Sequence, residues 1–149
     1  MERTENRLKS FLLVGVQFLC LGVLLVTGPL LPDGLAERAL IGAGLGLAVW
    51  ALVTMSPRSL TAFPDVRPGG VLATNGPYRY IRHPMYTAVL LLTLGLVLGQ
   101  ASLLRLIVWL VLAVNLWVKL TYEETLLARR FADYPAYKAG TARLIPFLL

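Results

Sequence analysis

The sequence predicts an all-α integral membrane protein with four transmembrane helices, a C-terminal helical hairpin and an amphipathic cytosolic tail. Its mean hydropathy is +0.70, and only 15% of its 149 residues are charged, whereas soluble domains carry about 25% charged residues. Four apolar runs recur along the chain, and strand-like alternation is absent. The length is typical of one domain, so residues 1–149 are expected to form a single unit.

The first two spans are predicted over about residues 11–31 and 39–55. The turn Pro32-Asp33-Gly34 separates them. In the second span, Gly42 and Gly46 form a GxxxG pair. This spacing predicts a face on which two helices pack closely.

The last two spans, about residues 84–99 and 103–120, are predicted to form a hairpin. A loop of about 28 residues with several Pro and Gly residues precedes it, and so long a loop in a small chain favours function. Pro84 is expected as the first residue of the third helix and His83 as its cap. Because Lys119, Glu123, Leu127 and Phe131 keep a helical spacing, the fourth helix is expected to continue past its apolar run.

The basic residues predict the orientation in the membrane. Of the 14 Lys and Arg residues, all but Arg38 and Arg105 fall on the side that holds both predicted termini and the long loop. By the positive-inside rule this side is cytosolic. The net charge of +6 is therefore explained by topology, and no nucleic acid partner is expected.

The segment GPYRYIRHPMY, residues 76–86, is the densest polar and aromatic stretch of the chain. It contains the only histidine and three of the six tyrosines. The hairpin would bring it to the same membrane surface as Glu123 and Glu124. We infer a site there, beside an opening to the lipid.

Each of these residues also has a structural interpretation. His83 is about as well explained as a helix cap as it is as a ligand or base. With no second His and no Cys beside it, a metal site is not expected. Glu123 and Glu124 point about 100° apart on a helix, so they cannot both face one ligand atom, and a solvated helix end explains them equally well.

The cationic and aromatic residues fit an interfacial role when each is taken alone. Arginines at positions 79 and 82 could extend from the interface into water, and tyrosines at positions 78, 80 and 86 could form an aromatic belt. Lys119 lies four residues before Glu123, which is the spacing of a surface ion pair.

The motifs together resemble the isoprenylcysteine carboxyl methyltransferase and phospholipid methyltransferase superfamily. The resemblance covers about residues 63–146 and rests on RHPMY, the downstream KLTYEETLLARRF, and the tail motifs YPAY and RLIP. It implies a membrane enzyme that takes S-adenosylmethionine from the cytosol and methylates a lipophilic acceptor. The four spans suggest a small prokaryotic member, located in the inner (plasma) membrane.

The resemblance also implies a site, built from residues 63–86 and 119–146. The implied cofactor-binding residues are Leu72, Ala73, Tyr78, His83, Pro84, Met85, Tyr86, Glu123, Glu124 and Tyr137. The implied catalytic residues are Lys119, Arg82 and His83. Lys119 stands where the isoprenylcysteine branch has an arginine that faces the acceptor carboxylate, and a lysine keeps that charge without the bidentate fork.

The residue types suit this cofactor independently. S-adenosylmethionine carries a sulfonium, a carboxylate, an ammonium and hydroxyls, which call for cations or a helix start, a carboxylate and aromatic faces. Methyl transfer needs positioning and water exclusion but no protein nucleophile.

Two other functions are compatible with the sequence. One is a non-enzymatic four-helix protein that binds anionic lipid or a partner through a basic rim at positions 79, 82, 129 and 130. The other is a membrane reductase, which we rank lowest because few cations cluster for a second phosphate. The expected partners are membrane lipid and a lipophilic or small-molecule acceptor, and a homo-oligomer stays open.

Overall fold

The computed structural model describes residues 2–55 and 69–146. Its elements are five α-helices and one 3₁₀ turn, Gly76–Arg79, and no strand is assigned in the described ranges. The helices are α1 Glu2–Val26, α2 Leu35–Thr54, α3 Pro84–Gly99, α4 Leu103–Arg130 and α5 Tyr134–Ala139. The first part of the predicted loop, residues 56–68, lies outside the described residues. The predicted all-helical class is confirmed for the described chain.

Within the part of the chain that the structure describes, three helical segments are long and apolar enough to cross a membrane: Leu8–Val26, Leu35–Thr54 and Leu103–Arg130. The fourth apolar helix, α3, has 16 residues and is shorter than these. At about 1.5 Å per residue it extends about 24 Å. Its bounds agree with the prediction.

The prediction was wrong at the junction of the first two helices. Helix α1 ends at Val26, five residues before the predicted end, because Pro29 disfavours helical backbone at Gly28. Helix α2 begins at Leu35 rather than at residue 39. Glu37 lies in its first turn, where a carboxylate is favourable, and Arg38 donates to the carbonyl oxygen of Pro32 at 2.6 Å.

Helices α2 and α3 pack most closely, but not through the predicted glycine pair. A Cβ atom at Gly44 would lie 2.7 Å from the carbonyl oxygen of Ala88, whereas nothing lies within 4 Å of one at Gly42 or Gly46. Gly95 makes the reciprocal approach to α2, since a Cβ atom there would lie 2.7 Å from the carbonyl oxygen of Glu37. Gly42 and Gly46 each lie two residues from Gly44, and two residues turn the direction around a helix by about 200°, which places the GxxxG pair away from α3.

Helices α1 and α4 form the second close pair. An apolar cluster joins them to α3 and contains Cys20, Leu24, Val97, Leu112 and Leu116. Polar contacts add to it, because the Asn115 amide donates to the carbonyl oxygen of Leu13 at 3.0 Å.

The Arg105 side chain, near the start of α4, joins three helices through hydrogen bonds. The residue is 1% exposed. Its Nη1 donates to the Leu24 carbonyl oxygen at 3.0 Å and to the Thr27 hydroxyl at 2.8 Å. Its Nη2 donates to the Leu96 carbonyl oxygen at 2.6 Å. These acceptors lie in the last turns of α1 and α3 or just beyond, where a cation is favourable.

Helix α4 continues past its apolar run and ends at Arg130, as the helical spacing of Lys119, Glu123 and Leu127 predicted. The chain then turns through α5 and returns to the entrance of α3. There it pairs with the polar segment: Arg82 N–H donates to the Ala142 carbonyl oxygen at 2.8 Å, and His83 N–H to that of Arg143 at 3.1 Å. The tail is therefore held against the start of α3.

Candidate active site

The segment before α3 is shaped by its glycine and prolines. Gly76 adopts a φ of +55°, and a Cβ atom there would lie 2.6 Å from the Thr54 hydroxyl. The 3₁₀ turn that follows buries Pro77 and Tyr78. Pro84 then begins α3 and His83 occupies the N-cap position, as predicted.

The His83 side chain does not cap this helix. It makes no capping hydrogen bond and is instead buried between the two glutamates, with the residue 5% exposed. Its Nδ1 lies 3.7 Å from a carboxylate oxygen of Glu123, and its Nε2 lies 3.5 Å from one of Glu124. The ring stacks parallel on Tyr86 with centroids 5.4 Å apart. The capping interpretation thus holds for the backbone position and fails for the imidazole.

Glu124 is the centre of an ion network. Its side chain is 4% exposed, and its carboxylate accepts from Arg82 at 2.8 Å and from Arg143 at 3.1 Å, with the Lys138 ammonium 3.3 Å away. A solvated helix end does not describe this residue. The network ties α4 to the tail and to the α3 entrance.

Arg82 is equally constrained. Its side chain is 7% exposed, and besides Glu124 it donates to the carbonyl oxygens of Lys138 and Thr141. The prediction that it extends from the interface into water was wrong, because an internal carboxylate and two carbonyl groups take its donors. It also does not belong to an exposed basic rim.

Glu123 has a different environment. Its side chain is 28% exposed, and it accepts a hydrogen bond of 2.8 Å from the Tyr86 hydroxyl. As expected for neighbours on a helix, the two glutamates reach different nitrogens of His83. Glu123 has fewer cationic contacts than Glu124 and is the more accessible to a ligand.

Lys119 does not lie at the surface, so the surface ion pair was a wrong expectation. It is 1% exposed. Its ammonium donates to the Gln17 amide oxygen at 2.7 Å and lies 5.2 Å from the centroid of the Tyr86 ring. Gln17 was not predicted as a site residue, and its only signal was an amide within an apolar run.

These side chains border a cavity of about 330 Å³, which lies in the size range of small-molecule sites. Most of its wall comes from residues predicted for the site: Tyr78, Arg82, His83, Pro84, Met85, Tyr86 and Lys119. The prediction missed Gln17, Met55 and Val89, which complete it.

A second, smaller cavity of about 80 Å³ adjoins the first. It brings Leu72 and Ala73 together with Tyr137, three residues predicted for the site, and adds Val71, Leu127 and Tyr134. Met55, Tyr78 and Arg82 line both cavities. Glu123 and Glu124 line neither of them, but both contact His83, which lines the larger one.

Several buried polar atoms around these cavities have no hydrogen-bond partner within the described ranges. They are the hydroxyls of Tyr78 and Tyr134 and the Nε2 atom of His83. An unpaired buried polar atom is costly, so a native site usually supplies its partner. Burial also raises the pKa of Tyr137 to about 12, and its neutral hydroxyl donates to the Tyr78 carbonyl oxygen at 2.7 Å.

The arrangement offers every contact that a small zwitterionic ligand requires. The Lys119 ammonium suits an anionic group, the partly exposed Glu123 carboxylate suits hydroxyls or an ammonium, and the tyrosine rings suit a flat base or a sulfonium. The apolar wall of Met55, Met85 and Val89 suits a hydrocarbon chain.

Comparison with known families agrees with this geometry. The phospholipid methyltransferase family matches residues 36–134, more than half of the chain and including most of the segments that form the cavities. No curated relative matches the chain. With its apolar helices and this match over more than half of its length, the chain belongs to the phospholipid methyltransferase family, whose activity is methyl transfer to lipid-like substrates.

Proposed function

We propose that this protein transfers a methyl group from S-adenosylmethionine to a lipid-like acceptor at the cytosolic face of a prokaryotic plasma membrane. The main support is the convergence of segment 76–86, the end of α4 and the tail around adjoining cavities. One domain, residues 1–149, carries the site, and the one-sided distribution of Lys and Arg supports cytosolic termini.

The residues present fit this cofactor. The cofactor supplies an activated methyl group on a sulfonium, which leaves readily. Tyr78 and the run His83–Tyr86 would hold it from the larger cavity. Leu72, Ala73 and Tyr137 would do so from the smaller one. The unpaired Tyr78 hydroxyl is available to its polar groups.

The two glutamates take different roles in this proposal. Glu123, which is partly exposed, accepts from a ligand hydroxyl or amine. Glu124 holds Arg82 and the tail in place through its ion pairs. Arg82 is therefore a positioning residue that shapes both cavities.

Catalysis by the protein consists of orientation, water exclusion and, for some acceptors, proton removal. His83 lines the larger cavity, and its imidazole would take a proton from an acceptor that carries one. An acceptor that is already an oxyanion needs no base. Lys119 faces the larger cavity, where its charge can hold the acceptor.

Calorimetric binding of S-adenosylmethionine and S-adenosylhomocysteine to the detergent-purified protein tests the cofactor assignment. Saturable binding of both is expected. His83→Ala, Tyr86→Phe and Glu123→Gln should each weaken it by about tenfold or more, since each removes a polar contact in the site. Thermal unfolding serves as the control for folding.

Binding that persists unchanged in all three variants would overturn the site. The lipid-binding alternative gives a different pattern, because it predicts additive losses of anionic-vesicle binding from Arg79, Arg129 and Arg130 substitutions and no loss from Glu123→Gln.

A further inference from the structure

Three side chains line both cavities and form the junction between them. They are Met55, Tyr78 and Arg82. The larger cavity measures about 330 Å³ and the smaller one about 80 Å³. A ligand that reaches from one cavity into the other must therefore pass these side chains.

Two of the junction residues are held in place. Arg82 donates to the Glu124 carboxylate at 2.8 Å and to carbonyl oxygens of the tail, so moving its side chain would break these hydrogen bonds. Tyr78 is 5% exposed, and its carbonyl oxygen accepts from the Tyr137 hydroxyl at 2.7 Å. These two residues form the fixed part of the junction.

Met55 differs from both of them. It directly follows the last residue of α2, and its backbone N–H donates to the Ala51 carbonyl oxygen at 3.0 Å. Its side chain is unbranched and flexible, and its thioether needs no hydrogen-bond partner. The backbone of Met55 is thus anchored to the helix, while its side chain can widen or narrow the junction without breaking a hydrogen bond.

The proposed cofactor would have to cross this junction. It would be held by the run His83–Tyr86 in the larger cavity and by Ala73 and Tyr137 in the smaller one. A shorter ligand could fill one cavity alone. The volume of the side chain at position 55 therefore acts on a ligand that spans both cavities, and acts little on a ligand that occupies one.

We propose that Met55 is a specificity-determining residue, whose side chain sets the width of the junction and so distinguishes ligands that span both cavities from ligands that occupy one. The spanning ligand is an elongated nucleoside thioether with an amino-acid tail. The inference rests on the proposed function for the identity of this ligand. It gives a role to the end of α2, which precedes the segment 63–146 that carries the sequence resemblance.

The test compares S-adenosylhomocysteine with methylthioadenosine, which has the same nucleoside and sulfur atom but lacks the amino-acid part. Binding of each to the full-length, detergent-solubilised protein is measured by calorimetry. Met55→Trp narrows the junction, so it should weaken S-adenosylhomocysteine binding by about tenfold or more and change methylthioadenosine binding by less than about threefold.

Two smaller substitutions grade this effect. Met55→Phe should give a smaller loss of the same kind, and it keeps the proposal testable if Met55→Trp does not fold. Met55→Leu nearly conserves the volume of the side chain and should bind both ligands as the wild type does.

Val53→Trp is the matched control. Val53 lies two residues before Met55, is 76% exposed and lines neither cavity. The same indole at this position should leave both affinities within about twofold of the wild type. Thermal unfolding checks that each variant folds. A merely structural role for Met55 would weaken the binding of both ligands together.

Equal effects on the two ligands, or unchanged S-adenosylhomocysteine binding in folded Met55→Trp and Met55→Phe, would overturn the proposal. Wild-type protein that binds methylthioadenosine but not S-adenosylhomocysteine would also overturn it. Failure of the cofactor assignment itself is distinguishable, because the folded wild type would then bind neither ligand, and the inference would fail with it.

Discussion

Two buried cations of α4 show how differently one helix can use the same kind of charge. Arg105 and Lys119 are each 1% exposed and lie about 21 Å apart along the axis. Both terminal nitrogens of Arg105 donate to neighbouring helices. Lys119 instead borders a cavity, with Gln17 and an aromatic ring beside it.

The comparison teaches that burial alone does not identify a functional cation. What separates the two residues is whether a cavity lies beside the side chain. Arg105 fills the volume beside Gly28, where a Cβ atom would lie 2.5 Å from its Nη1. Lys119 lies beside a cavity with unpaired atoms at His83 and Tyr78. We therefore propose that the Arg105 end of α4 stabilises the fold and that the Lys119 end carries the chemistry.

The largest expected effect on stability is at Arg105. Arg105→Leu removes three charged hydrogen bonds to α1 and α3, and should lower the free energy of unfolding by about 3 kcal/mol. Lys119→Met should lower it by about 1 kcal/mol or less, since burying an ammonium already opposes folding. Thermal unfolding in detergent measures both. Equal losses in the two variants would remove the distinction between the two ends.

The next effect concerns the helix pair α2 and α3. Gly44→Ala places a methyl group 2.7 Å from the Ala88 carbonyl oxygen, so it should destabilise the protein by about 1 to 3 kcal/mol. Gly42→Ala meets nothing within 4 Å and should be neutral or stabilising by up to about 1 kcal/mol. The same unfolding assay compares them. A loss at Gly42 and none at Gly44 would mean that the face is assigned to the wrong glycine.

Much of the fold could be predicted because its boundaries coincide with strong local signals. Pro84 and Gly99 bound α3, and both ends were predicted. The end of α1 was misplaced because the apolar run continues to Leu31, while the Gly28-Pro29 pair had already ended the helix. Hydrophobicity indicates where a chain can cross a membrane, but backbone chemistry decides where a helix stops.

The site was less predictable because its contacts join distant segments. The sequence shows that polar and aromatic residues are concentrated in segment 76–86. It does not show that Arg82 pairs with Glu124, 42 residues away. Nothing in the sequence distinguishes the buried Glu124 from the partly exposed Glu123. Gln17 has no periodic or motif signal at all, and only packing brings it to Lys119.

The smallest expected effect is a dependence of stability on pH, caused by Tyr137 beside the candidate site. Burial raises the pKa of Tyr137 from 10.0 to about 12. A raised folded-state pKa contributes stability that is complete below pH 10 and is lost as the pH rises towards 12. Tyr137→Phe should reduce this alkaline loss, and it removes one hydrogen bond, worth about 1 kcal/mol. Unfolding measured from pH 8 to pH 12 tests this, and an identical alkaline slope in the variant would contradict it.

The most direct test of the whole account is calorimetric binding of S-adenosylhomocysteine to three proteins: the wild type, Glu123→Gln, and Arg105→Lys as a control at the other end of α4. We predict saturable binding by the wild type and by folded Arg105→Lys, and a loss of about tenfold or more in Glu123→Gln. Folded wild-type protein that binds no S-adenosylhomocysteine, or a Glu123→Gln variant that binds it as well as the wild type, would contradict the account.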